Sequence, residues 1–409
     1  MSWRYDVVGF LSGDFGLSVA ARNTVRALGA SGRAVNVVAV EPKVLRGPAA
    51  RTPGGATGPG SRSLNLFQVN PIEIALFSRQ WRRALDPNAP NVCVPFWELP
   101  LVPLAWEPVL RAMDAVFAPT RFVAEACGAA VPPDRVLHYP QAVFLPGVVR
   151  PDRPAWGFPP ESVIFVLSFD LGSDIERKNP WMAIDAFQKA FPAEQDVQLI
   201  VKLRPWAGVR AHRVQVEALQ ARVAGDRRIR VLDAALSYDK LLELYASCDV
   251  LLSLHRSEGL GLHLMEAMSL GRVVVATDWS GNTDFMTAEN SVPVGYRLVP
   301  VAPTHAHYRA EVGRMGQRWA EPSLDEAVAA LKVLRARPER RAELGAAAAR
   351  DMERRRLDML SGSPFDLLEA KLSAGRPVSP GLQGAIRIAR LRGWWRELRS
   401  FSQALIQRS

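Results

Sequence analysis

The sequence predicts an α/β protein of two domains, each built on a parallel β-sheet with crossover helices. Three observations lead to this prediction. Short runs rich in Val, Ile and Leu alternate with helical stretches along most of the chain. At 409 residues, the chain is longer than one hydrophobic core usually serves. A segment with four prolines, residues 148–162, separates two such series and is typical of a linker.

The first series begins with a strand, a glycine-bearing turn, a helix and a second strand. These elements are predicted at 6–11, Ser12-Gly13-Asp14-Phe15-Gly16, 17–28 and 35–40. Further strands are predicted at three apolar runs, which are 64–69, 92–96 and 115–118. Residues 47–63 are rich in Gly, Pro, Ala, Ser and Thr, and they predict a long mobile loop. The first domain is therefore expected to cover residues 1–150.

The second series follows the linker. Its strands are predicted at five apolar runs, which are 163–169, 197–203, 229–232, 250–254 and 273–277. Helices are predicted to begin at Asn179-Pro180, at Ser237, and at a capping box formed by Ser323 and Glu326. We expect this second domain to cover residues 151–360 and a C-terminal segment to follow over 361–409.

Composition and charge exclude several classes of protein. Hydrophobic residues make up 48% and charged residues 22%, as in an ordinary globular protein. No apolar run is long enough for a transmembrane helix, and no signal peptide is recognisable, so a cytoplasmic protein is expected. Cys93, Cys127 and Cys248 lack metal-site spacing and are expected to be small core residues. The net charge of +10 fits anionic partners, but no nucleic-acid motif accompanies it, so we expect no nucleic-acid partner.

The most informative segment lies between the predicted strands 250–254 and 273–277. It holds a glycine loop and a helix start, with Glu258 before the helix and Glu266 in its second turn. The loop and the helix start comprise four residues, which are Gly259, Leu260, Gly261 and Leu262. Their backbone N–H groups lie at a positive helix end and can hold a diphosphate. Each carboxylate can accept hydrogen bonds from two hydroxyls, which suits a sugar and a ribose.

This segment, SEGLGLHLMEAMSLG, resembles the Glu-x7-Glu signature of the retaining glycosyltransferases of family 4. That resemblance implies the GT-B fold, in which two Rossmann-like domains face each other across a cleft and C-terminal helices cross back to the first domain. It implies that 1–150 binds the acceptor and 151–360 the donor. It also implies that Glu258 contacts the donor sugar and that Glu266 binds the ribose of the nucleotide. The alternative is a pair of unrelated surface glutamates flanking a helix start.

A second match lies in Glu176-Arg177-Lys178-Asn179-Pro180, after the predicted strand 163–169. The family has basic residues there that neutralise the donor diphosphate. The resemblance therefore assigns Lys178 and Arg177 to the diphosphate, and Glu258 and Lys178 are the expected catalytic residues. Some relatives carry a further arginine upstream, which is absent from 170–175. Lys202 either supplies that charge or is a surface lysine at a strand end.

Weaker resemblances concern other loops. Gly16 matches the glycine-rich loop of the family's first domain, although a GxxG after a strand is more often a plain turn. Trp97 and Glu98 resemble a tryptophan-glutamate segment of bacterial polysaccharide-assembly members, on the acceptor side. The alternative for Trp97 is a large core residue. The loop 277–286 resembles a subgroup loop, in which 280–283 would touch the donor through backbone groups and Asp284 would cap the next helix.

The tail from Gly381 predicts a basic amphipathic helix. Its apolar face holds Ile388, Leu391, Trp395 and Leu398, and its basic face holds Arg392, Arg396 and Arg399. Such a helix suits the anionic inner face of a membrane, where lipid-linked acceptors are found. The alternative is that the apolar face packs on the first domain.

The expected function is retaining transfer of a hexose or deoxyhexose from an NDP-sugar to a hydroxyl of a glycan or lipid-linked acceptor, in cell-surface polysaccharide synthesis. The NDP-sugar is a co-substrate, and neither a metal nor another cofactor is expected. Two alternatives remain open: an NDP-sugar epimerase of the same fold and a non-catalytic nucleotide-sugar-binding protein. A dinucleotide-dependent dehydrogenase is disfavoured, because Gly13 to Gly16 does not continue into GxGxxG.

Overall fold

The structure is a computed structural model, and it describes residues 3–40, 62–204, 209–302, 308, 311–374 and 381–391. The chain divides into two compact units. Unit 1 comprises the described residues up to Phe144 and those from Arg355 onward, and unit 2 comprises Leu145–Arg354. Of the loop predicted at 47–63, residues 47–61 lie outside the described residues.

Unit 1 is built on a six-stranded parallel sheet with strand order β2-β1-β3-β4-β5-β6. The strands are β1 Trp3–Gly9, β2 Ala34–Ala39, β3 Arg62–Gln68, β4 Asn91–Cys93, β5 Ala115–Ala118 and β6 Val136–His138. The helices that connect them are α1 Gly16–Ala30, α2 Pro71–Leu76, α3 Ser78–Trp81, α4 Glu107–Arg111 and α5 Arg121–Gly128. The predicted strand–turn–helix–strand opening is confirmed, with boundaries shifted by one to three residues.

Unit 2 is built on a second six-stranded parallel sheet, with order β12-β11-β10-β7-β8-β9. Its strands are β7 Val163–Asp170, β8 Val197–Arg204, β9 Ile229–Asp233, β10 Val250–Ser253, β11 Val273–Thr277 and β12 Val292–Val294. Its helices are α6 Ile175–Lys178, α7 Pro180–Ala190, α8 Arg210–Val223, α9 Tyr238–Ser247, α10 Leu262–Ser269 and α11 Leu324–Ala336. A two-stranded antiparallel hairpin, β13 Tyr296–Pro300 and β14 Arg318–Pro322, was not predicted.

The C-terminal helices return to unit 1, as the predicted fold requires. Helix α12 covers Pro338–Ser361 and contains the unit boundary, and α13 (Ser363–Ala374) packs into the core of unit 1. Phe365 of α13 lies in that core beside Tyr5 and Tyr139. The carboxylate of Glu369 accepts hydrogen bonds of 2.7 Å from the hydroxyl of Tyr5 and from Nε of Arg33.

The last described helix, α14, covers Gly381–Leu391 and belongs to unit 1. Leu382 and Ile386 are buried there, whereas Ile388, predicted on the apolar face, is 44% exposed. The start of the tail therefore packs through Leu382 and Ile386, and not through Ile388 as the packing alternative requires. Leu391 ends α14, and the other predicted face residues, Arg392, Trp395, Arg396, Leu398 and Arg399, lie outside the described residues. No helix among the described residues is both long and apolar enough to cross a membrane.

Several local predictions change in detail. The proline-rich stretch 148–162 packs on unit 2, where Arg153 Nη1 lies 3.1 Å from Asp249 Oδ2. The capping box at Ser323 is only half formed, because Ser323 caps Glu326 N while the Glu326 carboxylate accepts from Gly295 N. All three cysteines are buried, as predicted.

Candidate functional site

The candidate site in unit 2 begins where β10 ends and α10 starts. Gly261 precedes α10 with φ at 84°, in the left-handed region that favours glycine. A Cβ at Gly261 would also lie 3.0 Å from the Leu264 side chain. As at any helix start, the first N–H groups of α10 have no carbonyl one turn earlier in the helix. The predicted glycine loop and helix start are therefore present, at the carboxyl edge of a parallel sheet.

Glu258, at the head of this loop, is only 6% exposed. Its Oε1 forms an ion pair with Nζ of Lys178 and lies 3.3 Å from Nη1 of Arg177. Burial alone would raise the pKa of Glu258, but the two cations outweigh it and hold the pKa well below its usual range. The structure thus brings Glu258 next to two adjacent cations, of which Lys178 lies 80 positions earlier in the sequence.

The short helix α6 presents the two cations. Asp174 caps it by accepting hydrogen bonds from the backbone N–H groups of Glu176 and Arg177. Asn179 ends it with φ at 51°, and its side chain donates to Leu254 O at 2.9 Å instead of capping α7 as predicted. This left-handed residue turns the chain so that Lys178 faces the loop of Glu258.

Arg256 ties this arrangement to the β13–β14 hairpin. Its guanidinium contacts Glu176 Oε2 at 3.1 Å and Glu321 Oε2 at 2.7 Å. Its backbone N–H donates to Arg177 O at 2.7 Å. Sequence reasoning missed Arg256, since its partners are 65 to 80 residues away and the hairpin had no recognisable signal.

Glu266 lies in the second turn of α10 and is 3% exposed. The hydroxyl of Tyr238, the first residue of α9, donates to its Oε1 at 3.0 Å. Burial raises the pKa of Glu266 to about 8, and both Tyr238 and Lys202 moderate that rise. At pH 7 this carboxyl is therefore largely protonated.

Lys202 lies on β8 and is only 4% exposed, so it is not a surface lysine. Burial lowers its pKa to about 8, while the negative charges of Asp170 and Glu266 act in the opposite direction. Lys202 and Glu266 therefore lie close enough to influence each other's pKa. The role of Lys202 at the donor stays a prediction.

The loop after β11 closes over Glu258. Ser280 has φ 75° and ψ −147°, a region that costs a residue other than glycine about 1–3 kcal/mol. Its Oγ accepts from Glu258 N at 2.7 Å. Gly281 approaches so closely that a Cβ there would lie 2.2 Å from Gly259 O. Asp284 ends a 3₁₀ turn, and no helix follows it before β12, so the predicted capping role is wrong.

The remaining predicted site residues belong to unit 1. Gly16 is the exposed first residue of α1. Trp97 is fully buried, its indole N–H donates to Leu101 O at 2.8 Å, and its ring lies 5.0 Å from that of Trp106. Trp97 is therefore a core residue, in agreement with the alternative stated above. Glu98 beside it is half-buried.

Two histidines lie near the cations of the site. Burial lowers the pKa of His255 to about 4 and that of His263 to about 3, so both are neutral at pH 7. Within the described part of the chain, no group of three or more His, Cys, Asp or Glu residues is arranged to hold a metal ion.

Residues 163–306 match the family model described as Glycosyl transferases group 1. Sucrose-phosphate synthase from Thermosynechococcus elongatus is similar in structure, with a TM-score of 0.64, 14% identity and coverage of 92% of this chain and 100% of that one. Among curated protein sequences, none matches the chain.

Two further solved structures are similar to the structure of this chain. Anabaena HepE in complex with UDP and glucose has a TM-score of 0.60 and 13% identity, over 90% of this chain and 99% of that one. Trehalose-6-phosphate synthase OtsA has a TM-score of 0.60 and 12% identity, over 91% of this chain and 100% of that one. At such identities the likeness concerns the fold. The chain therefore has the GT-B fold of two Rossmann-like domains, and its residues 163–306 match a glycosyltransferase family.

Proposed function

We propose that this protein is a retaining, metal-independent glycosyltransferase of family 4 that moves a hexose or deoxyhexose from an NDP-sugar to a hydroxyl of a glycan or lipid-linked acceptor. One observation supports this proposal above all. The buried carboxylate of Glu258, in the loop before α10, pairs with Lys178 and Arg177, and Glu266 lies in α10. An NDP-sugar needs this combination of charges, because it carries hydroxyls on its sugar and its ribose, with a diphosphate between them.

The cations and the helix start would hold the diphosphate. When a donor binds, its phosphates compete with Glu258 for Lys178 and Arg177, and charge-assisted hydrogen bonds to phosphate are strong. Glu258 is then released to accept hydrogen bonds from the sugar. As the bond between the anomeric carbon and the phosphate oxygen breaks, the leaving diphosphate takes the electron pair. Fixed cations and the N–H groups of α10 stabilise that negative charge.

The ribose would bind at Glu266. Its carboxylate accepts hydrogen bonds from two hydroxyls when it is ionised, and Lys202 supplies a neighbouring positive charge. Since the pKa of Glu266 is about 8 and the ribose hydroxyls would bind its ionised form, donor binding near pH 7 should release a proton. Nucleotide affinity should consequently rise with pH across that range.

Retention of configuration implies that the acceptor hydroxyl attacks from the face that the diphosphate leaves, through an oxocarbenium-like transition state. As the acceptor oxygen forms its bond to the anomeric carbon, its proton passes to the departing diphosphate oxygen. No side chain is assigned as a nucleophile. We extend the proposal to cell-surface polysaccharide synthesis on the subgroup resemblance of Glu98 and the loop 277–286. The basic residues after Leu391 would then bring the enzyme to the inner face of a membrane.

A thermal-shift panel tests the donor site. UDP, GDP, dTDP and ADP, each with and without attached sugars, are added to the wild type and to Glu266→Ala. A ligand at 100 times its Kd stabilises the folded state by about 2.7 kcal/mol, which raises Tm by several degrees. UDP is the first choice, because the HepE structure contains UDP and glucose. We expect one nucleotide to stabilise the wild type and not the variant.

Product stereochemistry tests the retaining assignment. The anomeric configuration of the product, measured by NMR from a donor of known configuration, is expected to equal that of the donor. An inverted product would contradict it. Absence of any nucleotide response in the wild type would contradict the whole proposal, whereas nucleotide binding without transfer to any acceptor would favour a non-catalytic binding protein.

A further inference from the structure

We propose that Ser280 is a positioning residue that holds Glu258 in place for the donor sugar. This inference rests on the proposed function, since it takes Glu258 to be the sugar-facing carboxylate. Ser280 itself is only 3% exposed and its hydroxyl is directed at protein backbone, so it acts through Glu258 and not on the ligand.

The backbone of Glu258 is held at both ends by two consecutive residues of the loop after β11. Its N–H donates to Ser280 Oγ at 2.7 Å, and its C=O accepts from Gly281 N at 2.8 Å. On the other side, its carboxylate is held by Lys178 and Arg177. The side-chain contacts must change when a diphosphate takes over the cations. The backbone contacts with 280–281 do not depend on the ligand and can persist.

The conformation of Ser280 indicates that this contact is enforced. With φ 75° and ψ −147°, Ser280 adopts a backbone region that glycine enters readily and serine enters rarely. The surrounding loop maintains it: Asn282 Nδ2 donates to Thr277 O at 2.9 Å, and Thr283 Oγ1 donates to Ser280 O at 2.7 Å. A glycine at 280 would relieve the strain but would lose the hydroxyl that meets Glu258 N.

A small displacement of the Glu258 carboxylate should affect sugar transfer more than it affects binding of the nucleotide. The nucleotide diphosphate would contact α6, α10 and Glu266, whereas the hydrogen bonds of the Ser280 hydroxyl go to Glu258 N and Trp279 O. The sugar would meet the Glu258 side chain, whose position follows its clamped backbone. Misplacement of a contact by about 1 Å can reduce turnover about 100-fold. Loss of the hydroxyl should therefore affect the sugar and leave the nucleotide largely unaffected.

The test compares Ser280→Gly and Ser280→Ala with the wild type in the full-length chain. Ser280→Gly removes both the hydroxyl and the strain, so it should fold at least as well as the wild type. Ser280→Ala removes the hydroxyl and keeps the strain. Ser291→Ala is the matched control, because Ser291 is also a buried serine of unit 2 and its hydroxyl donates to Thr287 O in its own loop.

The probes are the nucleoside diphosphate that stabilises the wild type in the panel above and its best nucleotide sugar. For both Ser280 variants we expect an unchanged Tm response to the diphosphate, loss of most of the additional response to the sugar, and a kcat about tenfold below wild type. The apparent affinity for the nucleotide should stay within about twofold of the wild-type value, because the contacts that bind the nucleotide equally in the ground state and the transition state are kept.

Two results would overturn the assignment of Ser280. Both variants could keep the sugar-dependent response and the kcat of Ser291→Ala, which would mean that the hydroxyl does not position Glu258. Alternatively, both could lose the diphosphate response together with the sugar response, which would assign Ser280 to general support of the loop. If the wild type binds no nucleotide at all, the proposed function fails first and the inference fails with it.

Discussion

The hydroxyl of Tyr238 donates a hydrogen bond of 3.0 Å to Oε1 of Glu266. This contact joins the first residue of α9 to the second turn of α10. It is one of two interactions that oppose the effect of burial on Glu266, and the other is the charge of Lys202. The protonation of the proposed ribose-binding carboxyl is therefore controlled by two neighbouring elements, α9 and β8.

Tyr238→Phe tests this control. The variant removes a hydrogen bond that lowers the pKa of Glu266, so that pKa should rise above about 8. A larger fraction of Glu266 is then protonated at pH 7, and nucleoside diphosphate binding should weaken there by about three- to tenfold. Titrations between pH 6.5 and 9 should show the loss shrinking as pH rises. A loss that is equal at every pH would indicate that Tyr238 contributes only packing.

Glu266→Gln should change the pH dependence of stability in the empty protein. A carboxyl whose pKa is raised in the folded state contributes stability that is complete below its unfolded value, near 4.5, and is lost as pH rises through about 8. We expect the Tm of the wild type to fall between pH 5 and 8 relative to that of Glu266→Gln. Parallel Tm curves for the two proteins would contradict the raised pKa. The titration of Lys202 does not overlap the range from pH 5 to 8. Its pKa is lowered to about 8 in the folded protein, so it changes the stability only above that pH.

Glu258→Gln should separate binding from turnover. The variant removes the carboxylate that competes for Lys178 and Arg177, so nucleoside diphosphate binding should be equal to or tighter than that of the wild type. Sugar transfer should fall by about 100-fold or more, since a charged contact to the reacting sugar is lost. Glu343→Gln, at a largely exposed position, is the control and should behave as the wild type. Normal turnover in Glu258→Gln would show that Glu258 does not take part in sugar transfer.

Gly281→Ala should destabilise unit 2. The added methyl group would lie 2.2 Å from Gly259 O, a backbone atom that cannot move without the glycine loop. We expect a loss of about 1–3 kcal/mol in the free energy of unfolding, measured by urea denaturation. Gly225→Ala serves as the control, because a Cβ there meets no atom within 4 Å. Equal stability of the two variants would show that the loops 258–261 and 279–282 separate easily.

The tail beyond Leu391 should bind anionic membranes if the sequence-based interpretation holds. Replacing Arg392, Arg396 and Arg399 by glutamate should reduce sedimentation with vesicles containing phosphatidylglycerol, and each removed basic residue should weaken binding by about 1 kcal/mol. Transfer to a soluble acceptor should be unchanged. Equal sedimentation of wild type and variant at low salt would contradict the membrane contact.

The sequence predicted most of the strands of the two parallel sheets, because buried parallel strands consist of consecutive apolar residues. β5 and β11 begin and end at the predicted residues, and Ser237 caps α9 as expected. Glu258 and Glu266 were singled out by the family resemblance of one strand–loop–helix segment. The strand, loop and helix of that segment are confirmed, and the roles of the two glutamates stay a prediction. Signals within a short stretch of sequence were therefore sufficient for elements that consecutive residues form.

Features that depend on distant partners could not be predicted. The β13–β14 hairpin is held by Arg256 through Glu321, 65 residues away, and no turn signal marks it. The positive φ of Ser280 was equally hidden, because serine rarely adopts it without tertiary support. Asn179 looked like a helix cap from its position before Pro180, but its amide is used by Leu254 O.

The return of α13 to unit 1 has a consequence for synthesis of the chain. Met359, Phe365 and Leu368 complete a core whose other members lie between Trp3 and Phe144. A ribosome delivers the N-terminus first, yet the core of unit 1 stays incomplete until these late residues have emerged. Unit 2, in contrast, is formed by the continuous segment 145–354, which contains all of the strands β7 to β14. The second half of the chain can therefore mature first, and a truncation after Ser361 should leave unit 2 intact while unit 1 lacks part of its interior.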